Sequence, residues 1–262
     1  MRREKVQKGN PHRLTIYQHI FPATSINRFA DGGLVQVKPQ AGGEILSLVP
    51  KNPYFCGNRL WDHKTEHTLL YDMETAFQNV ADQIISNPSS FELSHHQHSA
   101  ITDFYILWNA RHKQLISPIP DQEIKGMGIS LERDIDKDSQ ERLEKNGVMF
   151  IRPDLIYPGQ FIGGIRLFSD LNFNRERMRE VRWGIVEAEN GEFIVPDNSP
   201  NVTAIPITPK LCLVGGLKNI LVNFHDVAKI NRHLINGVAR YYFARSLKEC
   251  PILKNNPIAD VF

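Results

Sequence analysis

Residues 18–30 read Gln18-His19-Ile20-Phe21-Pro22-Ala23-Thr24-Ser25-Ile26-Asn27-Arg28-Phe29-Ala30 and indicate more about the fold than any other stretch. Large apolar residues stand beside His19 and Arg28 there, a pattern that a solvated N-terminal segment has no reason to keep. A polar group at the edge of a core needs a partner, because burying it without a hydrogen bond is costly. We therefore expect this stretch to lie against the core and to bring an imidazole and a guanidinium to a polar site.

A second informative stretch, residues 193–200, reads Phe193-Ile194-Val195-Pro196-Asp197-Asn198-Ser199-Pro200. Apolar residues followed by Pro, Asp, Asn and Ser are typical of a strand that ends in a tight turn. Such a strand would deliver the Asp197 carboxylate to the turn. Together the two stretches predict one composite polar site, in which Asp197 meets His19 and Arg28.

The composition is that of an ordinary globular protein, with 262 residues of which 41% are hydrophobic and 23% charged. A net charge of only +2 gives no global electrostatic case for nucleic-acid binding, although a local basic face stays open. Three widely spaced cysteines argue against a disulfide framework and against a thiolate zinc site. No apolar run has the length of a signal peptide or a membrane helix, so we expect a cytoplasmic protein without a membrane partner.

Hydrophobic periodicity predicts an α+β fold in which a helical core packs against a small, mostly antiparallel sheet. An N-terminal β-hairpin is expected within residues 31–49, where Gly42-Gly43 makes the turn. The predicted helices cover residues 64–86, 94–115 and 227–247, the last of them C-terminal. The predicted strands cover residues 148–151, 160–162, 182–188, 192–195, 204–209 and 211–214. Asn190-Gly191 predicts a hairpin turn, and the prolines at 206 and 209 predict an edge or bulged strand.

The domain prediction is a flexible basic arm over residues 1–12 followed by a single α+β domain over residues 13–262. Within that domain, residues 121–147 form a charged insertion. Mixed-sign charges at helical spacing predict that this insertion is a solvated helix.

The order of the motifs resembles a large, mostly bacterial family catalogued as domain of unknown function 4238. The resemblance rests on His19, Pro22 and Arg28-Phe29, on the element 56–62, and on short matches further along the chain. Those further matches are Glu74 with Phe77, Arg111, Asp197-Asn198-Ser199-Pro200 with one extra Ser, and Asn231. The resemblance implies no established activity, and it points only by association to mobile elements or phage defence.

The candidate site gathers charged residues from separate segments. Glu74 and Gln78 are four residues apart on one predicted helix and can face one pocket. Glu74 and Asp197 could bind a divalent cation such as Mg²⁺ while His19 handles protons, which makes these three the candidate catalytic residues. The candidate substrate-binding residues are Arg28, Arg59, Gln78, Arg111, Asn198 and Asn231.

Two functions follow from this site and stay open. The first is a metal-assisted nuclease or phosphodiesterase that acts on nucleic acid as a toxin or phage-defence effector. The second is a non-catalytic module that binds a partner protein or nucleic acid, with residues 1–12 and 121–147 as its contact surfaces. A structural interpretation uses the same residues differently: Arg28 pairs with Asp197 or Glu74 in a buried network. The sequence contains no P-loop, no Gly-x-Ser-x-Gly elbow and no Gly-x-Gly-x-x-Gly motif.

Overall fold

The structure is a computed structural model that describes residues 4–124 and 135–253. Its helices are α1 (Ala23–Asn27), α2 (His63–Thr65), α3 (Tyr71–Ser86), α4 (His95–Ile116), α5 (Lys137–Lys145), α6 (Gly159–Met178) and α7 (Phe224–Asn236). Its strands are β1 (Tyr17–His19), β2 (Val35–Pro39), β3 (Leu46–Leu48), β4 (Cys56–Asn58), β5 (Gln122–Glu123), β6 (Ile156–Tyr157), β7 (Trp183–Ala188), β8 (Val195–Pro196), β9 (Ala204–Thr208), β10 (Leu211–Gly215), β11 (Ile220–Val222) and β12 (Tyr241–Ala244). The predicted α+β class, with mostly antiparallel sheets, is confirmed.

The chain divides into two compact units, each built from three segments. Unit 1 comprises the described residues of Met1–Pro22, Lys51–Val80 and His95–Glu180. Unit 2 comprises the described residues of Ala23–Pro50, Ala81–Ser94 and Val181–Phe262. The sequence predicts one domain over residues 13–262 and does not anticipate this division.

Unit 1 is mainly helical and is built around aromatic side chains. Phe77 of α3 stacks on Phe104 of α4 with ring centroids 3.7 Å apart, and Phe21 lies 4.8 Å from Trp108. Burial of these rings is the main favourable contribution to packing here. A π-helical turn, Glu66–Leu70, joins α2 to α3. The predicted helices at 64–86 and 94–115 are confirmed.

Helix α6 occupies a region for which the sequence predicts a strand, so the predicted strand at 160–162 is wrong. Residues 148–151, the other predicted strand of this region, form no strand either. The pair Gly163-Gly164 disfavours a helix by propensity, but α6 packs closely on its neighbours there. A Cβ atom on Gly163 would lie 2.1 Å from the backbone oxygen of Leu60. Close packing against Leu60 therefore requires glycine at position 163, although glycine has a low helix propensity.

The described part of the predicted flexible arm, residues 4–12, is hydrogen-bonded to α5. The Gln7 backbone N–H donates to Glu141 at 2.6 Å, and His12 lies 2.7 Å from Asp138. Glu141 and Glu144 are 2% and 3% exposed, so the prediction of a fully solvated charged helix is wrong for its described part. Both acids are buried because they have hydrogen-bonding partners. Residues 1–3 of the arm and 125–134 of the insertion lie outside the described residues.

Unit 2 contains two four-stranded sheets. One has the order β11-β7-β10-β9, with β11 parallel to β7 and the other pairs antiparallel. The other has the order β3-β2-β12-β8 and is antiparallel throughout. The predicted N-terminal hairpin is confirmed, with Val35 opposite Leu48, and β9, which contains Pro206, is an edge strand as predicted.

Two predictions for unit 2 are wrong because strand pairing is not local. Asn190-Gly191 predicts a hairpin, but β7 pairs with β10 and β11, whereas β8 pairs with β12. The predicted helix 227–247 ends at Asn236, where α7 is followed by Gly237. Residues 241–244 form β12 instead, because β-favouring Tyr and Phe side chains pair there with β2.

Every helix in the described part of the chain is either too short or too polar to span a lipid bilayer. All three cysteines are buried free thiols. Burial raises the pKa of Cys56 to about 11, so this thiol stays protonated near neutral pH.

Candidate functional site

The nine predicted site residues fall in both units. Unit 1 contains His19, Arg59, Glu74, Gln78 and Arg111, and unit 2 contains Arg28, Asp197, Asn198 and Asn231.

The Asp197 carboxylate connects the end of β8 to the residues that precede β12. It accepts the backbone N–H of Ala239 at 3.1 Å and that of Arg240 at 2.7 Å, and the residue is 2% exposed. With its amide oriented to satisfy its hydrogen bonds, Asn198 donates to Gly237 O at 2.8 Å and to Asp197 Oδ1 at 3.0 Å. This carboxylate thus holds backbone donors in a buried turn, a contact that stabilises the fold of unit 2.

The other two residues of unit 2 have similar local roles. Arg28 pairs with the exposed Asp82 at 2.8 Å, so the interpretation that pairs it with Asp197 or Glu74 is corrected. Asn231 is fully buried and accepts the Ile194 N–H at 3.0 Å. Its amide donates to the carbonyl of Glu192 at 2.8 Å. The Asn231 side chain thus forms hydrogen bonds with the backbone just before β8.

In unit 1 the structure brings Glu74 and Arg111 together as an ion pair. Arg111 is 1% exposed, lies over the ring of Trp61 at 5.4 Å and has Glu66 at 3.9 Å. The Trp61 indole N–H donates to Glu66 at 2.5 Å. Gln78 lies one turn beyond Glu74 on α3. Because the Arg111 guanidinium is buried and already paired, it is poorly placed to bind a substrate phosphate. The same ion pair explains why Glu74 lies at a partly apolar position.

Arg59 is also in a buried ion pair, with Glu144 at 2.7 Å. Gln160 donates to the same carboxylate at 3.3 Å. Arg59 has a φ of 46°, a left-handed conformation that is unfavourable for a residue other than glycine. The ion pair between Arg59 and Glu144 attaches α5 to the segment after β4, and this contact holds the Arg59 backbone in its left-handed conformation.

His19 lies in β1 opposite Cys56, and its neighbour Gln18 has a role that sequence reasoning missed. The Gln18 amide is fully buried, accepts the N–H of Leu60 at 2.6 Å and donates to the carbonyl of Trp61 at 2.9 Å. The signal in the sequence for this role is a polar residue that stands close to the large apolar residues of the stretch 18–30. The expectation that this stretch lies against a core is met by Gln18, Ile20 and Phe21.

Unit 1 also contains an open cavity of about 320 Å³ beside α6, which we call the α6 cavity. Its buried wall includes Phe161 and Leu167. Its rim includes Met149, Ile165 and Phe168, which are 56%, 53% and 53% exposed. Sequence reasoning missed this cavity because it assigned residues 148–151 and 160–162 to strands.

The polar part of the α6 cavity comes from the start of the α2–α3 helical segment. The Asp62 carboxylate caps α2 by accepting the Thr65 N–H at 2.9 Å, and the Thr65 hydroxyl donates to it at 2.5 Å. A Cβ atom on Gly164 would lie 2.3 Å from Asp62 Oδ2, so glycine is needed for this close packing. Within the described part of the chain, the ammonium group of Lys64 has no ion-pair partner.

A separate group of polar side chains in unit 1, which we call the imidazole cluster, comprises Thr15, His63, His67 and Lys145. The Thr15 hydroxyl lies 2.8 Å from His67 Nε2 and 3.3 Å from His63 Nδ1. Lys145 Nζ lies 2.9 Å from His63 Nε2, and the two imidazole rings are 4.1 Å apart. His63 is 7% exposed. Its pKa is lowered to about 4, chiefly by burial and further by electrostatic repulsion between a protonated His63 ring and His67, Lys145 and Arg59.

The sequence carried a signal for this cluster, because His63 and His67 are spaced i, i+4 and therefore share a helix face. Neither histidine is among the predicted site residues. Among residues 4–124 and 135–253, no three His, Cys, Asp or Glu side chains are grouped so that they could hold a metal ion. The Mg²⁺ site at Glu74 and Asp197 stays a prediction.

Comparisons of this chain with protein-family models, with curated proteins and with solved structures found no match. The resemblance to domain of unknown function 4238 likewise stays a prediction.

Proposed function

We propose that this protein is a non-catalytic binding module whose partner is a protein with an exposed apolar side chain next to acidic residues. The observation that carries the proposal is the α6 cavity, which combines a buried apolar wall with a half-exposed apolar rim. Its volume of about 320 Å³ lies at the lower end of the range of ligand pockets. A cavity of that size accommodates one large apolar group.

The rim favours a protein partner over a small molecule. Met149, Ile165 and Phe168 leave more than half of their surface in water, and a bound small group inside the cavity would leave much of that surface exposed. Val148 is 47% exposed and directly precedes Met149, which extends the apolar surface along the chain. Contiguous exposed apolar surface of this kind is typical of protein-binding sites.

Lys64 indicates the charge of the partner. Lys64 lines the α6 cavity and has no ion pair in the described chain, so an acidic residue beside the inserted apolar group would complement it. The engagement of Glu74 by Arg111 and of Asp197 by backbone N–H groups supports binding over metal-assisted catalysis as the better proposal.

Synthetic peptides test this proposal. Peptides with one Trp, Phe or Leu between Asp residues are titrated against the full chain, together with versions that carry Ala at the apolar position or Lys in place of Asp. Covering the remaining half of the Phe168 ring contributes about 1–1.5 kcal/mol, so Phe168→Ser is expected to weaken binding about tenfold. Lys64→Met is expected to reduce the preference for acidic over basic peptides.

Phe173→Ser is the matched control, since Phe173 is 65% exposed on the same helix and does not line the α6 cavity. This variant should bind peptide as the unchanged chain does. The proposal fails if none of the apolar acidic peptides binds, or if the Phe168 and Phe173 variants lose affinity equally.

A further inference from the structure

We propose that the N-terminal arm, residues 4–12, holds one side of the α6 cavity in place, so that detaching the arm weakens partner binding. The effect on binding rests on the proposed function of the cavity. The hold of the arm on the cavity is tested separately from binding. All of the residues involved belong to unit 1.

Glu4 connects the arm to two parts of unit 1. Its carboxylate pairs with Lys137 at the start of α5, at 2.8 Å, and with Arg152 at 3.0 Å. Burial by itself would raise the pKa of Glu4, but the hydrogen bonds and positive charges of these two partners lower it, so the carboxylate is charged near neutral pH. Further along the arm, Gln7 hydrogen-bonds Glu141 through both its backbone and its side chain. The arm therefore lies against α5, with Glu4 reaching beyond that helix to Arg152.

Arg152 connects the arm to the start of α6. It is 9% exposed, and its guanidinium donates to Glu4 through Nη1 and to Asp121 through Nη2, the latter at 2.6 Å. The other carboxylate oxygen of Asp121 accepts the Gly159 N–H at 2.9 Å, where α6 begins. Pro158 precedes the helix, and a proline side chain cannot accept a hydrogen bond. Asp121 thus caps α6 in its place, and Arg152 holds the capping carboxylate.

Arg152 also ends the segment 147–152, which forms one side of the α6 cavity and places Met149 at its rim. The Phe150 ring of this segment lies edge-on to Phe161 of the buried wall, with ring centroids 5.2 Å apart. Because the ring contact and the Arg152 ion pairs lie two residues apart, they hold the segment against α6 together. A shift at Arg152 would therefore change the wall and the rim of the cavity.

The direction of the effect follows from the order that binding requires. With the arm attached, the segment 147–152 is already in place, and a partner binds a preformed site. With the arm detached, binding must also order this segment, so affinity falls. Coupling between two sites is reciprocal, so a partner bound in the cavity should hold the arm more firmly against α5.

Amide hydrogen exchange of the full chain tests the hold of the arm on the cavity. Glu4→Ala removes a carboxylate whose side chain is 42% exposed, so this variant should fold normally. The amides of Val148, Arg152 and Gly159 are hydrogen-bonded in the structure. They should exchange about three- to tenfold faster in Glu4→Ala, as the loss of two partly exposed ion pairs predicts. Glu176→Ala removes an exposed ion pair near the C-terminal end of α6 and is the matched control, which should leave the three amides unchanged.

Peptide titration tests the effect on binding. The apolar acidic peptides should bind Glu4→Ala about three- to tenfold more weakly than the unchanged chain, and Glu176→Ala with unchanged affinity. A direct electrostatic effect has the opposite sign, because removing the negative charge of Glu4 would strengthen the binding of an acidic peptide. Bound peptide should also slow exchange of the Gln7 amide, which donates to Glu141 at 2.6 Å and does not line the cavity.

The outcomes separate this proposal from the proposed function. If peptides bind Glu4→Ala as tightly as the unchanged chain, the arm does not control the cavity, and the proposed function stands. If no peptide binds the unchanged chain, the proposed function fails, and the three amides decide the hold of the arm on the cavity. Faster exchange in Glu4→Ala then supports that hold, and unchanged exchange overturns it.

Discussion

Asp197→Asn is the substitution that best separates a structural carboxylate from a functional one. In unit 2 the two oxygens of Asp197 accept the N–H groups of Ala239 and Arg240, at 3.1 Å and 2.7 Å. Asparagine has the same shape but only one acceptor oxygen, so one of the two buried N–H groups then faces an amide NH₂ group. A hydrogen bond to a charged acceptor contributes about 1.5–3 kcal/mol, and a buried donor without a partner adds a further cost. We expect a loss of about 2–4 kcal/mol in the free energy of unfolding.

This loss is large enough to measure by thermal unfolding. For a chain of this size, each kcal/mol changes the melting temperature by about 2–4 °C, so Asp197→Asn should melt about 5–10 °C lower. Hydrogen exchange localises the effect, because the amides of Ala239 and Arg240 should lose protection. Asp82→Asn is the matched control in the same unit, since the Asp82 side chain is 69% exposed and its pair with Arg28 should contribute below about 1 kcal/mol.

One result would refute this reasoning. If Asp197→Asn melts within about 1 °C of the unchanged chain and the two amides stay protected, then the carboxylate does not stabilise the turn. Its burial would then need another explanation, and the predicted metal ligand would become the better interpretation.

Two further predictions concern unit 1. Arg111→Met leaves Glu74 without its partner and should lower the free energy of unfolding by about 2–4 kcal/mol. Lys113→Met removes an exposed ion pair and should lower it by less than about 1 kcal/mol. Urea denaturation measures the free energy of unfolding of both variants. His63 favours its neutral form in the fold, since its pKa is lowered from 6.5 to about 4. Between pH 6.5 and about pH 4, His63 is therefore protonated in the unfolded chain but neutral in the folded one. The free energy of unfolding should fall as the pH is lowered through this range, and His63 should cause no further loss below about pH 4. Because solvent reaches the cluster, the contribution is about 1–2 kcal/mol, and His63→Gln should remove this part of the pH dependence of urea denaturation; an unchanged pH dependence in that variant would contradict the assignment.

Elements whose pattern is complete within their own residues could be predicted from the sequence. The hairpin β2–β3 follows from alternation around Gly42-Gly43, and α4 follows from apolar residues spaced along one helix. Elements that depend on distant partners could not be predicted. Gly163 in α6 reflects close packing on Leu60, about 100 residues earlier in the chain, and local propensity contains no information on that contact.

The residues of the candidate site were easier to identify than their roles. Glu74 and Arg111 are both predicted site residues, and they do form an ion pair. The sequence could not show that they contact each other, because the same two residue types would also serve a metal ion and a phosphate. The Asp197 carboxylate was likewise expected at the end of a strand, but its backbone donors lie about 40 residues further along the chain.

The physical reason for this difference is the cost of burial. A charged side chain placed inside a fold must acquire a partner, so most buried charges are explained by the contacts that compensate them. Arg59, Arg111 and Asp197 all follow this rule. Side chains that remain exposed at an energetic cost are more informative about binding, because folding alone does not account for them. Phe168 at the α6 cavity is such a residue, and Lys64 beside it keeps a positive charge with no partner in the described chain. The search for a ligand therefore starts with these two residues rather than with the buried charges.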